Sequence, residues 1–113
     1  WNQTTGRYEA FDSAGGGGST DWIIATTGQT LADGAPVLAV ITTTQNFPLP
    51  TSPTAGDRFV VGNARGSTAG ALVRVQTDAG QQIIGAAVGD DVTVAPGETI
   101  YLVARSASLL EIV

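Results

Sequence analysis

Carboxylates are the main side chains in this sequence that could act as general acids or bases. The chain has ten Asp and Glu residues, and its five basic residues are all Arg, so Lys is absent, as are His and Cys. The Ser-His-Asp triad and its thiol counterpart are therefore excluded. Two carboxylates alone can catalyse glycoside hydrolysis. Most of those present, however, lie in Gly-containing sequences typical of turns, where the side chain binds nearby backbone: Asp33, Asp57, Asp78, Asp90, Asp91 and Glu98. We predict that the chain is not an enzyme, and an enzyme using only carboxylates is the third of three hypotheses.

A cation site at Asp90 and Asp91 is the other chemistry that these carboxylates suggest. Calcium prefers hard oxygen ligands, which this pair and a neighbouring loop could supply. The Asp-x-Asp-x-Asp-Gly spacing of a regular calcium loop is missing, however. The glycine run at 15–18 is not followed by the Lys-Ser/Thr pair of a phosphate-binding loop. We therefore predict neither a metal nor a cofactor.

Composition excludes two further classes of function. The net charge is −5 and the Arg residues are scattered, whereas nucleic-acid binding needs clustered positive charge. No apolar run approaches the roughly 20 residues that span a membrane. Without Cys, the chain has no disulfide framework. We predict an acidic protein that binds neither nucleic acid nor membrane.

The glycine run divides the 113 residues into three parts. Four consecutive Gly residues have no side chains to pack and behave as a flexible joint. We assign residues 1–14 to an extended anchoring arm, 15–20 to a glycine-rich hinge and 21–113 to a β-domain. The arm carries Trp1, Tyr8 and Phe11, which we predict to anchor it on another protein surface. Because the chain begins with Trp and contains no Met, we expect it to be a piece of a longer polypeptide.

The pattern over 21–113 is that of short strands. Turn signals recur about every ten residues, which is typical of an all-β sandwich or barrel. Val73 and Val75 alternate with polar residues, and Phe47 and Leu49 share one face of an extended, proline-containing segment that we expect at a sheet edge. A helical turn could form only within 26–32. We predict an all-β fold, a small antiparallel β-sandwich or barrel of jelly-roll type, with the apolar C-terminal strand tied into a sheet or a subunit interface.

Several of these segments together form a more specific pattern. They are FPLPTSPTAGDRF at 47–59, VRV at 73–75, QIIG at 82–85 and TIYLVA at 99–104, and WNQTTGRYEAF at 1–11 has the look of a linker between modules. The pattern resembles fibre and spike modules of tailed bacteriophages, and covers most of 26–113. The resemblance implies a structural protein of the virion surface: a tail fibre or spike module, or a head fibre or capsid decoration. It also implies a homotrimer bound to a larger virion protein, such as the capsid or a preceding fibre or tail segment. The Gly- and Ala-rich stretch 63–71 departs from the pattern.

Trimer formation also has a physical argument. The stiff Leu-Pro-x-x-Pro edge carries apolar side chains on one side, and three such edges meeting at an axis would cover both the edge and the apolar surface. We predict that six apolar side chains form the subunit interface: Phe47, Leu49, Ile84, Leu102, Leu110 and Ile112. The alternative is a carbohydrate-binding module that recognises a host surface glycan through exposed aromatic residues, such as Trp22, or through the 63–71 loop.

Overall fold

Nine short strands and the turns between them make up the described part of the chain. The computed structural model describes residues 21–113, so the predictions for the arm and the hinge lie outside the described residues. The strands are β1 Ile23–Ala25, β2 Val37–Ala39, β3 Gln45–Pro48, β4 Arg58–Asn63, β5 Val73–Gln76, β6 Gln82–Ile83, β7 Val92–Val94, β8 Thr99–Ala104 and β9 Leu109–Ile112. Residues 21–113 contain no helix, and 26–32 form no helical turn, which confirms the all-β class. Nowhere in this range is there a helix long and apolar enough to cross a membrane.

The strands form two sheets of unequal size. The larger has the order β1-β2-β4-β8-β9-β6, and the smaller has the order β3-β5-β7. β9 lies between β8 and β6, so the prediction that the apolar C-terminal strand is tied into a sheet is confirmed. β3, with Pro48, lies at the edge of the smaller sheet, as expected for a residue that cannot donate a ladder hydrogen bond.

The prediction of an antiparallel fold was wrong, because both sheets are mixed. Four of the seven strand pairs are parallel, including β2 with β4 and β3 with β5. Between β2 and β8 each successive strand lies in the other sheet. A chain that crosses to the second layer and returns enters the first layer in its original direction, so β4 runs parallel to β2 and β5 runs parallel to β3.

One hydrophobic core joins the two sheets. Its largest side chains are Phe47 from the smaller sheet and Phe59 from the larger sheet, and both are fully buried. Val73 and Val75 face this core while Arg74 is exposed, which confirms the alternation predicted for β5. Fully burying each large apolar side chain contributes about 1.5–3 kcal/mol, so this cluster is the main source of the fold's stability.

Seven four-residue turns of one kind connect the strands. In each, the N–H of the fourth residue donates to the carbonyl of the first over 2.9–3.2 Å, and the third residue is a Gly with positive φ. This is the pattern of a type II turn, which requires a left-handed residue at the third position. The turns span 32–35, 54–57, 68–71, 78–81, 83–86, 87–90 and 95–98.

Candidate interaction surface

The carboxylates predicted to stabilise turns do so at several places. Asp57 Oδ2 accepts a hydrogen bond from the N–H of Thr54 at 2.9 Å, within its own turn. Glu98 Oε1 does the same for Ala95 at 2.9 Å. Asp33 Oδ1 accepts from the backbone N–H of Arg58 at 2.8 Å and so ties the 32–35 turn to the start of β4. These side chains thus hold the connections between strands.

The Asp90–Asp91 pair does not form the calcium site that we considered. Asp91 Oδ2 instead accepts a hydrogen bond from Arg74 Nη2 at 2.8 Å. In the part of the chain that the structure describes, no three His, Cys, Asp or Glu side chains come together in an arrangement that could hold a metal ion. Arg74 extends from the exposed face of β5, so this ion pair links β5 to the loop before β7.

Four of the six residues predicted for a subunit interface lie instead inside their own chain. They are at most 3% exposed and belong to the core: Phe47, Leu49, Leu102 and Leu110. Phe47 and Leu49 do share a face, as predicted. This face, however, packs in the core against the larger sheet, and not against another subunit. Ile84 and Ile112 are 43% and 46% exposed. The subunit interface therefore stays a prediction, and of the six residues only Ile84 and Ile112 are exposed enough to contact another subunit.

The larger sheet carries apolar side chains on its outer side as well as toward the core. Phe59 and Val61 face inward, so Val60 between them faces outward, and the register pairs it with Tyr101. The N–H of Val113 donates to the carbonyl of Tyr101 at 2.9 Å, which places Val113 beside it. These three residues form one apolar row across β4, β8 and the end of β9.

Neighbouring rows extend this surface. Ile24 pairs with Leu38 on the side away from buried Ala25 and Ala39. Val103 lies between the outward-facing Arg58 on β4 and Glu111 on β9. We name this surface the outer apolar face; it consists of Ile24, Leu38, Val60, Tyr101, Val103 and Val113. Ile84, next to β6, adjoins it, because strand alternation places Ile84 opposite buried Ile83.

The outer apolar face is accessible and contoured. Ile24 is 60% exposed and Val113 is 70% exposed. A groove of about 440 Å³ runs along its centre, lined by Pro36, Arg58, Val60, Tyr101, Val103 and Val113 among others. Contiguous exposed apolar surface of this kind is typical of contact sites. The described part of the chain therefore has one broad surface suited to binding a partner.

Sequence reasoning missed this surface, although β8 contains a signal for it. Ile100, Leu102 and Ala104 face the core, while Tyr101 and Val103 between them are also largely apolar. A strand covered on one side alternates apolar with polar residues, whereas an unbroken apolar strand indicates contacts on both sides. Read in this way, the segment predicts a second apolar face.

The aromatic residues of the described part are divided between core and surface. Phe47 and Phe59 are buried, whereas Tyr101 is 39% exposed and Trp22 is half-buried. The 63–71 loop, the other candidate for carbohydrate binding, is fixed to the domain by three buried residues: Asn63 and Ala71 at its ends and Ser67 in its middle. Tyr101 is therefore the most accessible aromatic ring of the β-domain.

Comparison with protein-family models, curated proteins and solved structures found no match to this chain. The function of this chain is therefore inferred from its residues and their geometry, together with its sequence resemblance to bacteriophage fibre and spike modules.

Proposed function

We propose that this chain is a structural protein of a bacteriophage virion surface that functions by association and not by catalysis. In this proposal it is a trimeric fibre, spike or capsid-decoration module, with the β-domain projected outward and residues 1–14 anchoring it to a larger virion protein. The observation that carries the proposal is the outer apolar face, where the larger sheet presents apolar side chains that no other layer of residues 21–113 covers.

The size of the domain supports an associating role. A domain of about 100 residues buries only roughly two-thirds of the surface that its unfolded chain exposes. The smaller sheet covers only one side of the larger sheet. Burial of the other side against a partner would add about 25 cal/mol for each Å² of apolar surface removed from water.

The carboxylates support the absence of a catalytic role. Asp33, Asp57 and Glu98 hold backbone N–H groups, and Asp91 holds a guanidinium. A general acid or base must be able to reach a substrate proton. Side chains already engaged in turns and ion pairs are poorly placed for that task.

Mass in solution tests the proposed trimer. Light scattering coupled to size exclusion should give a particle of about three times the 11.4 kDa chain mass across a range of concentrations. A folded monomer at every concentration up to about 0.1 mM, where contacts of even modest affinity form, would contradict it.

Deletion of residues 1–14 tests the anchoring role. We expect the shortened chain to keep the circular dichroism spectrum of the β-domain and to lose attachment to the particle, measured by co-sedimentation with virions. A second variant, in which only Trp1, Tyr8 and Phe11 are replaced by Ser, should also stay folded and lose attachment to virions. Attachment that survives both changes would contradict the anchor.

Carbohydrate binding is the second candidate function, because Tyr101 and Arg58 both line the groove of the outer apolar face. The apolar face of a sugar ring can stack on an aromatic side chain, and its hydroxyl groups can accept hydrogen bonds from the several N–H groups of a guanidinium. Glycan-array binding that is lost in Tyr101→Ala and kept in Trp22→Ala, with both variants folded, would favour this function. No binding of the wild-type chain to any glycan would exclude it for the array tested.

A further inference from the structure

The outer apolar face carries opposite charges on its two sides. Val103 in β8 pairs with Arg58 on one side and with Glu111 on the other. Arg58 and Glu111 are therefore two strand spacings apart, about 10 Å, with the apolar side chains of β8 between them. We name the two sides the β4 flank and the β9 flank.

Each flank also has an exposed apolar margin. Beyond the β4 flank, β2 contributes Leu38 and β1 contributes Ile24; beyond the β9 flank, β6 is followed by Ile84. The surface thus has the same apolar character at both ends and opposite charge on either side of its centre. This arrangement is complementary to itself when one copy is placed beside another.

We propose that the outer apolar face binds a second copy of this chain, with the β4 flank of one copy against the β9 flank of the next. Arg58 would then lie near the partner's Glu111, and the isoleucine margins would cover each other. This proposal rests on the proposed function and specifies which surface makes the association and what binds there.

Charge favours another copy of the chain over an unrelated anionic or cationic partner. Among the described residues Arg58 forms no salt bridge, and it is the cation nearest the centre of the face. Glu111 Oε1 accepts a hydrogen bond from Arg105 Nη1 at 2.7 Å, but the Arg105 side chain is 57% exposed and the Glu111 side chain is 40% exposed. An exposed ion pair of this kind contributes little to stability. Glu111 can therefore also bind a second guanidinium, that of Arg58 in a neighbouring copy.

Contact between two different flanks is heterologous, and heterologous contacts either close into rings or continue as filaments. Six strands at about 4.8 Å spacing give a face about 24 Å wide. With a length of about 20 Å for the six-residue β8, half of this face covers about 240 Å², well below the roughly 800 Å² that each partner contributes to a standard interface. One flank contact alone would therefore be weak, whereas a closed ring uses both flanks of every copy and is stable as a unit. The three copies of the proposed function satisfy this requirement.

Lysine substitutions on and off the face test the proposal. Tyr101→Lys places a charge at the centre of the face, and Ile24→Lys places one at its margin. Val88→Lys is the matched control, because Val88 is 61% exposed in the 87–90 turn, outside the face. We expect the two face variants to associate at least about 30-fold more weakly, the factor equivalent to a hot-spot loss of about 2 kcal/mol. The control should associate like wild type, and circular dichroism should show all three folded.

Mixing charge variants tests the flank pairing directly. Arg58→Glu makes both flanks acidic, and Glu111→Arg makes both basic, so each variant alone should associate more weakly than wild type. In a ring of three copies, an equimolar mixture pairs opposite charges at two of the three contacts. It should therefore associate at least about tenfold more tightly than either variant alone, with the gain reduced in 0.5 M NaCl, where salt screens the charges. Mixed chains can be followed by native mass spectrometry with one variant isotopically labelled.

The outcomes separate this proposal from the proposed function. If Tyr101→Lys and Ile24→Lys form trimers as tightly as wild type does, the outer apolar face is not the contact surface, while the proposed trimer still stands. A wild-type chain that is monomeric throughout would overturn both. Loss of association in the face variants without recovery in the charge mixture would overturn the flank pairing, because the face would then bind its partner in another arrangement.

Discussion

Asn63 at the end of β4 is the polar residue that most directly joins the two sheets. Its Nδ2 donates to the carbonyl of Ala71, just before β5, and to the carbonyl of Val94 at the end of β7, both at 2.9 Å. Its backbone also accepts from Gly97 N–H at 2.7 Å and donates to the Glu98 carbonyl at 2.9 Å. The side chain is 2% exposed, so water cannot replace these bonds.

Replacing Asn63 by Asp removes both side-chain donors without changing its size. Ala71 and Val94 are themselves buried, so each carbonyl loses its amide partner where solvent cannot reach. An unsatisfied buried polar group costs about 1–3 kcal/mol; two give roughly 2–6 kcal/mol, and the buried negative charge adds to this cost. Stability for about 90 residues is roughly 5–14 kcal/mol. We therefore expect Asn63→Asp to remove a large share of the free energy of unfolding.

Urea denaturation measures this loss. With a slope of about 2 kcal/mol per M, a loss of about 4 kcal/mol lowers the midpoint by about 2 M. Asn46→Asp is the matched control, since Asn46 is exposed on β3 and the same chemical change there should stay within about 0.5 kcal/mol of wild type. Acidification to protonate the introduced carboxyl restores one donor, so the difference from wild type should narrow. If Asn63→Asp unfolded at the wild-type midpoint, the two carbonyl bonds would not join the sheets as argued.

Two further predictions concern the turns and the surface. Gly56→Ala should destabilise the domain by at least about 1 kcal/mol, because φ at Gly56 is +96° and Ala resists this conformation. Gly66→Ala, where φ is not positive and a Cβ meets no neighbour, should change stability by less than about 1 kcal/mol; equal effects in urea denaturation would refute the turn argument. Arg74→Ala should cost no more than about 1 kcal/mol, because its pair with Asp91 is partly exposed, and the cost should shrink in 1 M NaCl. A loss above about 2 kcal/mol in thermal unfolding would contradict a screened surface pair.

The sequence predicted the strands well where the pattern was local. β5 alternates apolar and polar residues, and Val73 and Val75 face the core as expected. The turns carry Gly at a fixed position, and a positive φ there is a property of the residue itself. β2 ends at Ala39 although the β-branched residues Val40 to Thr44 follow it directly, because strand length also depends on where the neighbouring strand stops.

Strand pairing could not be predicted in the same way. Whether β2 meets β4 in parallel depends on the path of the chain through the other sheet, which is a long-range property. The same limit affected the predicted interface. The spacing of Phe47 and Leu49 predicts one apolar face, but only the packing decides whether this face contacts its own chain or another. It packs in the core of its own chain.

The outer apolar face follows from that topology. β4 and β8 lie at the centre of the larger sheet, with neighbours on both edges, so their backbone groups are satisfied and their outward side chains are the only groups left to interact. In a two-layer protein these positions are ordinarily polar, because water covers them. Here the central row consists of Val60, Tyr101 and Val113. A central strand that is apolar on both sides favours a third layer, because the described residues supply a covering sheet on one side only. We argue that a neighbouring copy supplies it, because the charges beside Val103 complement each other across two flanks of the same surface.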